Sequence, residues 1–517
     1  MHRLLSGPLL LLLGIASTCF AAGQQSTLPS FSFEELKILS TEAEPAKPLA
    51  DKLDRLLHSV ELGSFTVRPA GRPSRPVEGG VPVLRAAMWN IERGQEFEPI
   101  TTALKDPQAF YELCTKRGLK QQKLELIGKE AELLSSADLL ILDEVDRGMK
   151  RSEYRDVARE LAAALHMNYA YAVEFVEVDP VTLGIEVIDQ ASLEDELIAD
   201  PAKYKGLHGS AILSRYPIQN VDVLRLPVCH DWYAAESKPV PKVEKLKRVG
   251  SEKVFLEAIA QERRRGGRIA MVARVVVPEA PGGVVTVVNA HLENKCKASC
   301  RVQQMNYILE NTRTTQDALI LAGDMNTTGS DGSILSAGYI LKTKMRDPRF
   351  WAGQLVSYFN PINLYGMGTV ARYIRGYGDP TRRDLPILAN NREYTLFDTI
   401  RKYQFGDGTS FDFSGDKKLT VNGTSGTLAN SNQRAAKGFT YTFSLPRDFK
   451  GAVGRYRLDW FFIKPPAGAP DRVLRPEFPR TMQAMNQGLD PRLSDHAPIT
   501  VDLPLAPGRI NQKRSKP

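Results

Sequence analysis

Apolar runs of strand length recur along most of the chain: VLRAAMWNI, ADLLILDEV, YAYAVEFVEV, SAILSRYPI, RIAMVARVVV, VVTVVNAHL, ALILAGDMN, LDWFFIKP and APITVDL. Helical spacing precedes several of them, over Gln121 to Leu134 and Glu153 to Leu165. Runs of this kind alternating with amphipathic stretches predict mixed α and β layers. Upstream, Phe33 to Thr41 and Leu49 to Val60 read as two short helices, followed by the Pro, Gly and Arg-rich linker TVRPAGRPSRPVEGG. Residues 23–80 therefore look like an appended segment. Two stretches break the alternation, about 222–266 and about 329–455, and both read as surface insertions. No repeat at a fixed period is visible.

The amino terminus follows a different pattern. A basic start at Arg3, an apolar run from Leu9 to Ile15 and small residues ending at Ala21 and Ala22 read as an export signal over residues 1–22. The run is shorter than the ~20 residues a spanning helix needs. That length argues against an uncleaved anchor, and Ala16, Ser17 and Thr18 lack the large aliphatic residue expected before a lipidated Cys19. The mature chain is expected to be exported, without a transmembrane segment.

Composition is that of an ordinary globular protein, with 42% hydrophobic and 25% charged residues among 517, which excludes collagen-like and largely disordered classes. The net charge is +8, and +7 once Arg3 leaves with the signal. Between Glu236 and Arg268 ten Lys or Arg face five Glu, and the run includes Arg263, Arg264 and Arg265. Such a stretch is either a solvated charge-alternating helix or a contact for a polyanion. Four cysteines remain after export, Cys114, Cys229, Cys296 and Cys300. Cys296 and Cys300 are close enough in sequence for a local disulfide. A zinc site combining them with His291 lacks a fourth ligand at finger spacing.

Most of the chemically interesting side chains stand where a strand candidate ends. Asn90 and Glu92 follow AAMW, Glu144 follows LLILD, His291 and Glu293 close VVNAHLE, and Asp324 and Asn326 close LILAGDMN. Asp459 lies within RYRLDWFFI, and Asp495 and His496 precede the last strand. Any one of them could be a turn former or cap. Together on one rim they would suit a hard divalent cation, which takes oxygen ligands and keeps exchangeable waters.

The ordered set WNIERG, DEVDRG, HGSAILSRYPI, NAHLE, AGDMN, RLDWFF and SDHAPI resembles the endonuclease/exonuclease/phosphatase superfamily, the metal-dependent phosphoesterases typified by pancreatic deoxyribonuclease. The resemblance runs from about Leu84 to Leu503, interrupted by the two insertions. It implies an α+β fold, a four-layer αββα sandwich of two mixed sheets flanked by helices, over residues 81–505, with a short N-terminal extension and a basic tail at 506–517. It makes Glu144 the principal ligand of Mg²⁺ (Mn²⁺ or Ca²⁺ as substitutes), with Glu92 and Asp495 beside it. It gives Asn90 and Asn326 the phosphate, Asp324 the attacking water, and Asp459 with His496 a carboxylate and imidazole pair. His291 matches a second histidine, which Glu174 would orient. Ser210 stands where Asn is frequent, Asn289 where Thr is common, and no Arg follows GDMN.

The expected activity is an exported, metal-dependent phosphodiester hydrolase acting by in-line attack of water, with nucleic acid as substrate. A sphingomyelinase-like phospholipid phosphodiesterase is the alternative. An inactive binding protein of the same fold would have lost at least one of Glu144, Asp324, His291 or His496, and all are present. Either Asp324 or the Asp459 and His496 pair could be the base, since their titrations would be coupled.

Overall fold

The computed structural model describes residues 27–66, 77–78, 81–178, 199–237, 263–327, 380–381, 384–385, 389–390, 392–414, 430–435, 438–444, 455–470 and 473–505. The expected export signal, most of the basic segment and the basic tail lie outside them. Among the described residues no helix is long and apolar enough to cross a membrane.

Helices α1 (Phe33–Thr41) and α2 (Lys47–Leu57) lead into strand β1 (Val60–Ser64), and β2 (Val81–Arg93) begins the alternation of strands and helices. Helices α3 (Phe97–Lys105), α4 (Pro107–Thr115) and α5 (Gln121–Ser135) then precede β3 (Leu139–Arg147). Helix α6 (Val157–Leu165) connects to β4 (Asn168–Glu177), followed by β5 (Leu207–Ser214), β6 (Ile218–Arg225), α7 (Trp232–Glu236), β7 (Arg264–Gly266), β8 (Ile269–Val276) and β9 (Val284–Ala290). The remainder is α8 (Ala298–Asn311), β10 (Ala318–Asp324), α9 (Tyr394–Lys402), β11 (Asp459–Lys464), β12 (Glu477–Thr481) and β13 (Ile499–Pro504).

These strands form two mixed sheets, in the orders β1-β4-β5-β3-β2-β13-β12 and β11-β10-β9-β8-β6, with β7 added along β4. Strands β2 and β3 run parallel, as do β9 and β10, and the other neighbours are antiparallel. Period-two alternation explains the layering, because successive side chains point to opposite faces. Ala86, Met88, Leu139 and Ile141 face Met271, Val287, Ile320 and Phe461 between the sheets. Ala87, Trp89, Leu140 and Leu142 face outward, under the helices from α1 to α6. On the second sheet Leu319, Leu321, Trp460 and Phe462 face Met305 and Ile308 of α8 and Leu396 and Phe397 of α9. Both faces of each sheet are buried, so the central strands read as nearly continuous apolar runs. The expected αββα sandwich is the fold.

Three boundaries differ from the sequence pattern. The helix expected to reach Val60 stops at Leu57, and Val60–Ser64 pairs with β4 as an edge strand, with Gly63 pressed so closely on the Tyr169 ring that a Cβ there would lie 2.2 Å from it. The first insertion starts later than Asp222, because Asp222 to Arg225 pair with β8, and its far end returns as β7. Within the second, α9 completes the outer layer of the smaller sheet. Asn432 extends the free edge of β11, accepting from the Phe461 N–H and donating to its carbonyl, 3.0 and 2.8 Å.

Candidate active site

The C-terminal ends of β2, β3, β9 and β10 and the starts of β11 and β13 meet on one rim, and the sequence-predicted residues gather there. Backbone geometry sets them off from the strands: Glu92, Arg93, Glu144 and Asn326 have φ of 47, 66, 53 and 48°. A side chain in this left-handed region is strained unless the surroundings enforce it, and such positions cluster at functional sites. A register shift between Asn90 and Arg93, and another between Leu142 and Val145, accompany the strain and re-aim Glu92 and Glu144.

The geometry converges on Asp324. Its Oδ2 accepts from the Asn90 amide (3.3 Å) and lies 3.7 Å from Nε2 of His496 and 4.0 Å from Nε2 of His291. Each imidazole is backed by a carboxylate at its other nitrogen, His496 by Asp459 (2.8 Å) and His291 by Glu174 (3.2 Å). This aims both Nε2 atoms at the same point. Asn326 closes the turn by donating its backbone N–H to Asp324 Oδ1 and its amide to the Leu292 carbonyl. Phe443 packs edge-on against His496, with centroids 5.1 Å apart.

The second group is acidic. Glu92 accepts the backbone N–H of Asp495 (2.7 Å), and Glu144 lies 4.0 Å from Nε of Arg93. Burial raises the Asp495 carboxyl, which His496 lowers and the charge of Glu144 raises further, with a net rise. Burial would also raise Glu144, but Arg93, His291, His208 and His496 outweigh it and hold the carboxyl far below the usual range, so Glu144 is ionised. An ionised, partly exposed glutamate beside two more carboxylates offers only oxygen donors, a set that fits Mg²⁺, Mn²⁺ or Ca²⁺ and not zinc. Asp324, Asp459 and His496 also bring ligand atoms within 4.8 Å of one another. That trio is better described as an acid beside an oriented imidazole, because Nδ1 of His496 is already hydrogen-bonded to Asp459.

The imidazoles carry protons. Burial opposes the charge on His496, but Asp459, Asp495 and Asp324 raise its proton affinity well above the ordinary value. At His291 burial and Arg268 act downward, and Glu174 with Asp143 carries the net value up to about 9.

Several participants were not singled out from sequence. Arg93 pairs with Glu144 from within the quoted WNIERG motif. Asp143, next to Glu144, is fully buried and accepts the Asp324 N–H (2.8 Å), with the Ser210 hydroxyl oxygen 3.2 Å away; a carboxylate amid the apolar positions of LLILD was the available signal. Ser210, in the position where Asn is frequent, donates to Glu174 (2.6 Å). Arg268 contacts both Glu174 and His291, and only the fold reveals it.

The cysteine expectation is corrected. Cys300 pairs with Cys229, Cα atoms 5.8 Å apart, and Cys296 is free. Cys296 precedes α8 and turns its Sγ to the Glu293 carbonyl (3.3 Å), while Cys300, inside the first turn, meets the segment that follows β6. Of the basic stretch, residues 238–262 lie outside the described residues; at its end Arg264 is buried against Glu177, and Arg263 and Arg265 bond to the N-terminal extension, so these three do not form an open basic patch.

No curated protein matches the chain. Similar solved structures include an endonuclease/exonuclease/phosphatase from Beutenbergia cavernae, at 16% identity over 82% of this chain and 72% of that one, with a TM-score of 0.33. The human Nocturnin catalytic domain is 12% identical over 82% and 94%, TM-score 0.33. A 3′-5′ exonuclease from Neisseria meningitidis is 14% identical over 81% and 99%, TM-score 0.37. The family description "Endonuclease/Exonuclease/phosphatase family" matches residues 89–496, from the strand that carries Asn90 to His496 itself. The chain therefore belongs to the endonuclease/exonuclease/phosphatase family of phosphoester hydrolases.

Proposed function

We propose that the protein is an exported, divalent-metal-dependent phosphodiester hydrolase whose substrate is nucleic acid. The observation that carries this reading is the convergence of Asn90, His291 and His496 on a single oxygen of Asp324, on the same rim as the carboxylates of Glu92, Glu144 and Asp495.

Asp324 is the group placed to take the proton of an attacking water, because the Asn90 amide and the Asn326 N–H fix its carboxylate at the focus of the site. His496, anchored by Asp459, and His291, anchored by Glu174, present N–H donors to the non-bridging phosphoryl oxygens, and the Asn90 and Asn326 amides fix the group's orientation. Glu144, with Glu92 and Asp495, would hold Mg²⁺, which would supply neutralisation of the charge that builds up during the displacement. Two protonated imidazoles and two neutral amides suit the single charge of a diester, and the basic mature chain suits a polyanion. The leader sequence supports export.

A substrate panel tests the reading: single-stranded and duplex DNA, RNA, and sphingomyelin vesicles, each with Mg²⁺ and with chelator. Cleavage of nucleic acid in Mg²⁺ alone is expected. Hydrolysis of vesicles with nucleic acid left intact would replace the substrate by a phospholipid. Failure to hydrolyse any member with Mg²⁺, Mn²⁺ or Ca²⁺ would leave a binding protein.

A further inference from the structure

The arginine run at 263–268 connects the N-terminal extension to the His291 half of the site. Arg265 gathers the carbonyls at the end of α1, donating to Leu39 (3.0 Å), Ala43 (3.1 Å) and Glu42, and lies over the Tyr233 ring. A guanidinium there meets both the unpaired carbonyls and the negative end of the helix. Arg264 pairs with Glu177 (3.1 Å) and stacks on Trp232. Gly266, at φ 115°, passes so close that a Cβ would lie 2.2 Å from the Glu174 carbonyl and 3.0 Å from Leu57 of α2. Arg225 seals the same point, donating to the carbonyls of Val173 (2.8 Å), Glu174 (3.0 Å) and Gly267 (2.8 Å). The run ends at Arg268, 4% exposed, whose Nη1 donates to Glu174 Oε2 (2.9 Å) and lies 2.8 and 3.0 Å from the two ring nitrogens of His291.

We infer that Arg268 is a positioning residue for His291, and that the extension supports it through the arginines that lead into it. The inference rests on the hydrolase reading given above. The polar contacts of Arg268 go to Glu174, His291 and Glu293, so it acts through the imidazole and its carboxylate. It holds Glu174 by one oxygen, so the other, also fixed by Ser210, faces Nδ1 of His291. Residues 27–64, which give this support, lie before the family match at 89–496. Imidazoles oriented by such partners lose activity when the partner is removed, by about 10- to 100-fold in metal enzymes.

The test is a double-mutant cycle on the full chain, using whichever panel substrate the wild type cleaves. Arg268→Gln is expected to lower kcat by about 10- to 100-fold with KM within about twofold, and to cost nothing further in a His291→Ala background. Arg268→Lys should recover part of the loss. Arg265→Gln should lower kcat less, and that loss too should vanish with His291→Ala. Arg274→Gln, on the strand β8 that follows Arg268 and exposed, should match wild type. Losses that multiply with His291→Ala overturn the inference, as does wild-type turnover in a folded Arg268→Gln protein. If Arg268→Gln does not fold, the Arg265→Gln cycle decides on the same criterion. The His291 imidazole resonance, identified by its loss in His291→Ala, separates this outcome from failure of the hydrolase reading. It should move in Arg268→Gln or, should that variant not fold, in Arg265→Gln, and an unmoved resonance overturns the inference even if no substrate is cleaved.

Discussion

The backbone N–H of Asp324 donates to Oδ2 of Asp143 across the gap between the two sheets, over 2.8 Å. Asn289 crosses the same gap, its amide donating to the Leu142 and Ala211 carbonyls. The focal carboxylate of the site is thus fixed from the opposite sheet. Asp143→Ala leaves that N–H buried without an acceptor, and the expected loss is about 2 kcal/mol, with turnover falling because Asp324 is released. Burial already raises the Asp143 carboxyl to about 7, so Asp143→Asn, which still offers an oxygen, should stay close to wild type in stability. Denaturant titration with kcat for both variants checks this, and equal losses in the two would refute it.

Glu144→Gln keeps the side-chain volume and removes the charge that Arg93 and the imidazoles stabilise. Turnover is expected to fall by at least about 100-fold at ordinary Mg²⁺, with partial recovery as Mg²⁺ rises, in a folded protein whose melting temperature drops because the favourable charge on the carboxyl is gone. Full wild-type activity in chelator would remove the metal from the reading altogether.

The His291 proton contributes to stability with a definite sign. Its folded-state value of about 9 lies above the ordinary ~6.5 of an unfolded chain, so the contribution is fully present below ~6.5 and is lost as pH rises through about 9. The melting temperature of wild type should therefore fall between neutral pH and about 9.5 more than that of His291→Gln. Parallel curves for the two proteins would contradict the assignment.

Cys229 and Cys300 are 71 residues apart, and closing a loop of that length stabilises by about 4 kcal/mol in the chain-entropy account. Mass spectrometry without reductant should find that cross-link, with Cys114 and Cys296 as free thiols. Cys300→Ser should lower the melting temperature, and Cys296→Ser should leave it unchanged.

Charge reversal at Arg264 should not behave as the loss of a substrate contact. A glutamate there would be buried against Glu177, and breaking a buried pair in this way costs about 3 to 5 kcal/mol. The expected result is insoluble or weakly stable protein. A well-folded Arg264→Glu variant with only a raised KM on nucleic acid would restore the surface-patch view of the run.

The strands were legible in the sequence because two layers bury both faces of the central strands, which survive as uninterrupted apolar runs such as LLIL and ALILA. The rim was legible because strand ends are where a polar side chain can leave the core, and Asn90, Glu144, His291, Asp324 and His496 stand there in order. The partners of those residues were less so. Arg268 reaches Glu174 from 94 positions away, Arg265 reaches Leu39 from 226, and Cys300 bypasses Cys296 for a thiol 71 residues distant. Local pattern reports the period of a backbone and which face is apolar. It carries no record of which buried charges meet. That choice follows the packing of whole sheets and helices, where a guanidinium or carboxylate withdrawn from water must find a partner among whatever the fold brings within reach.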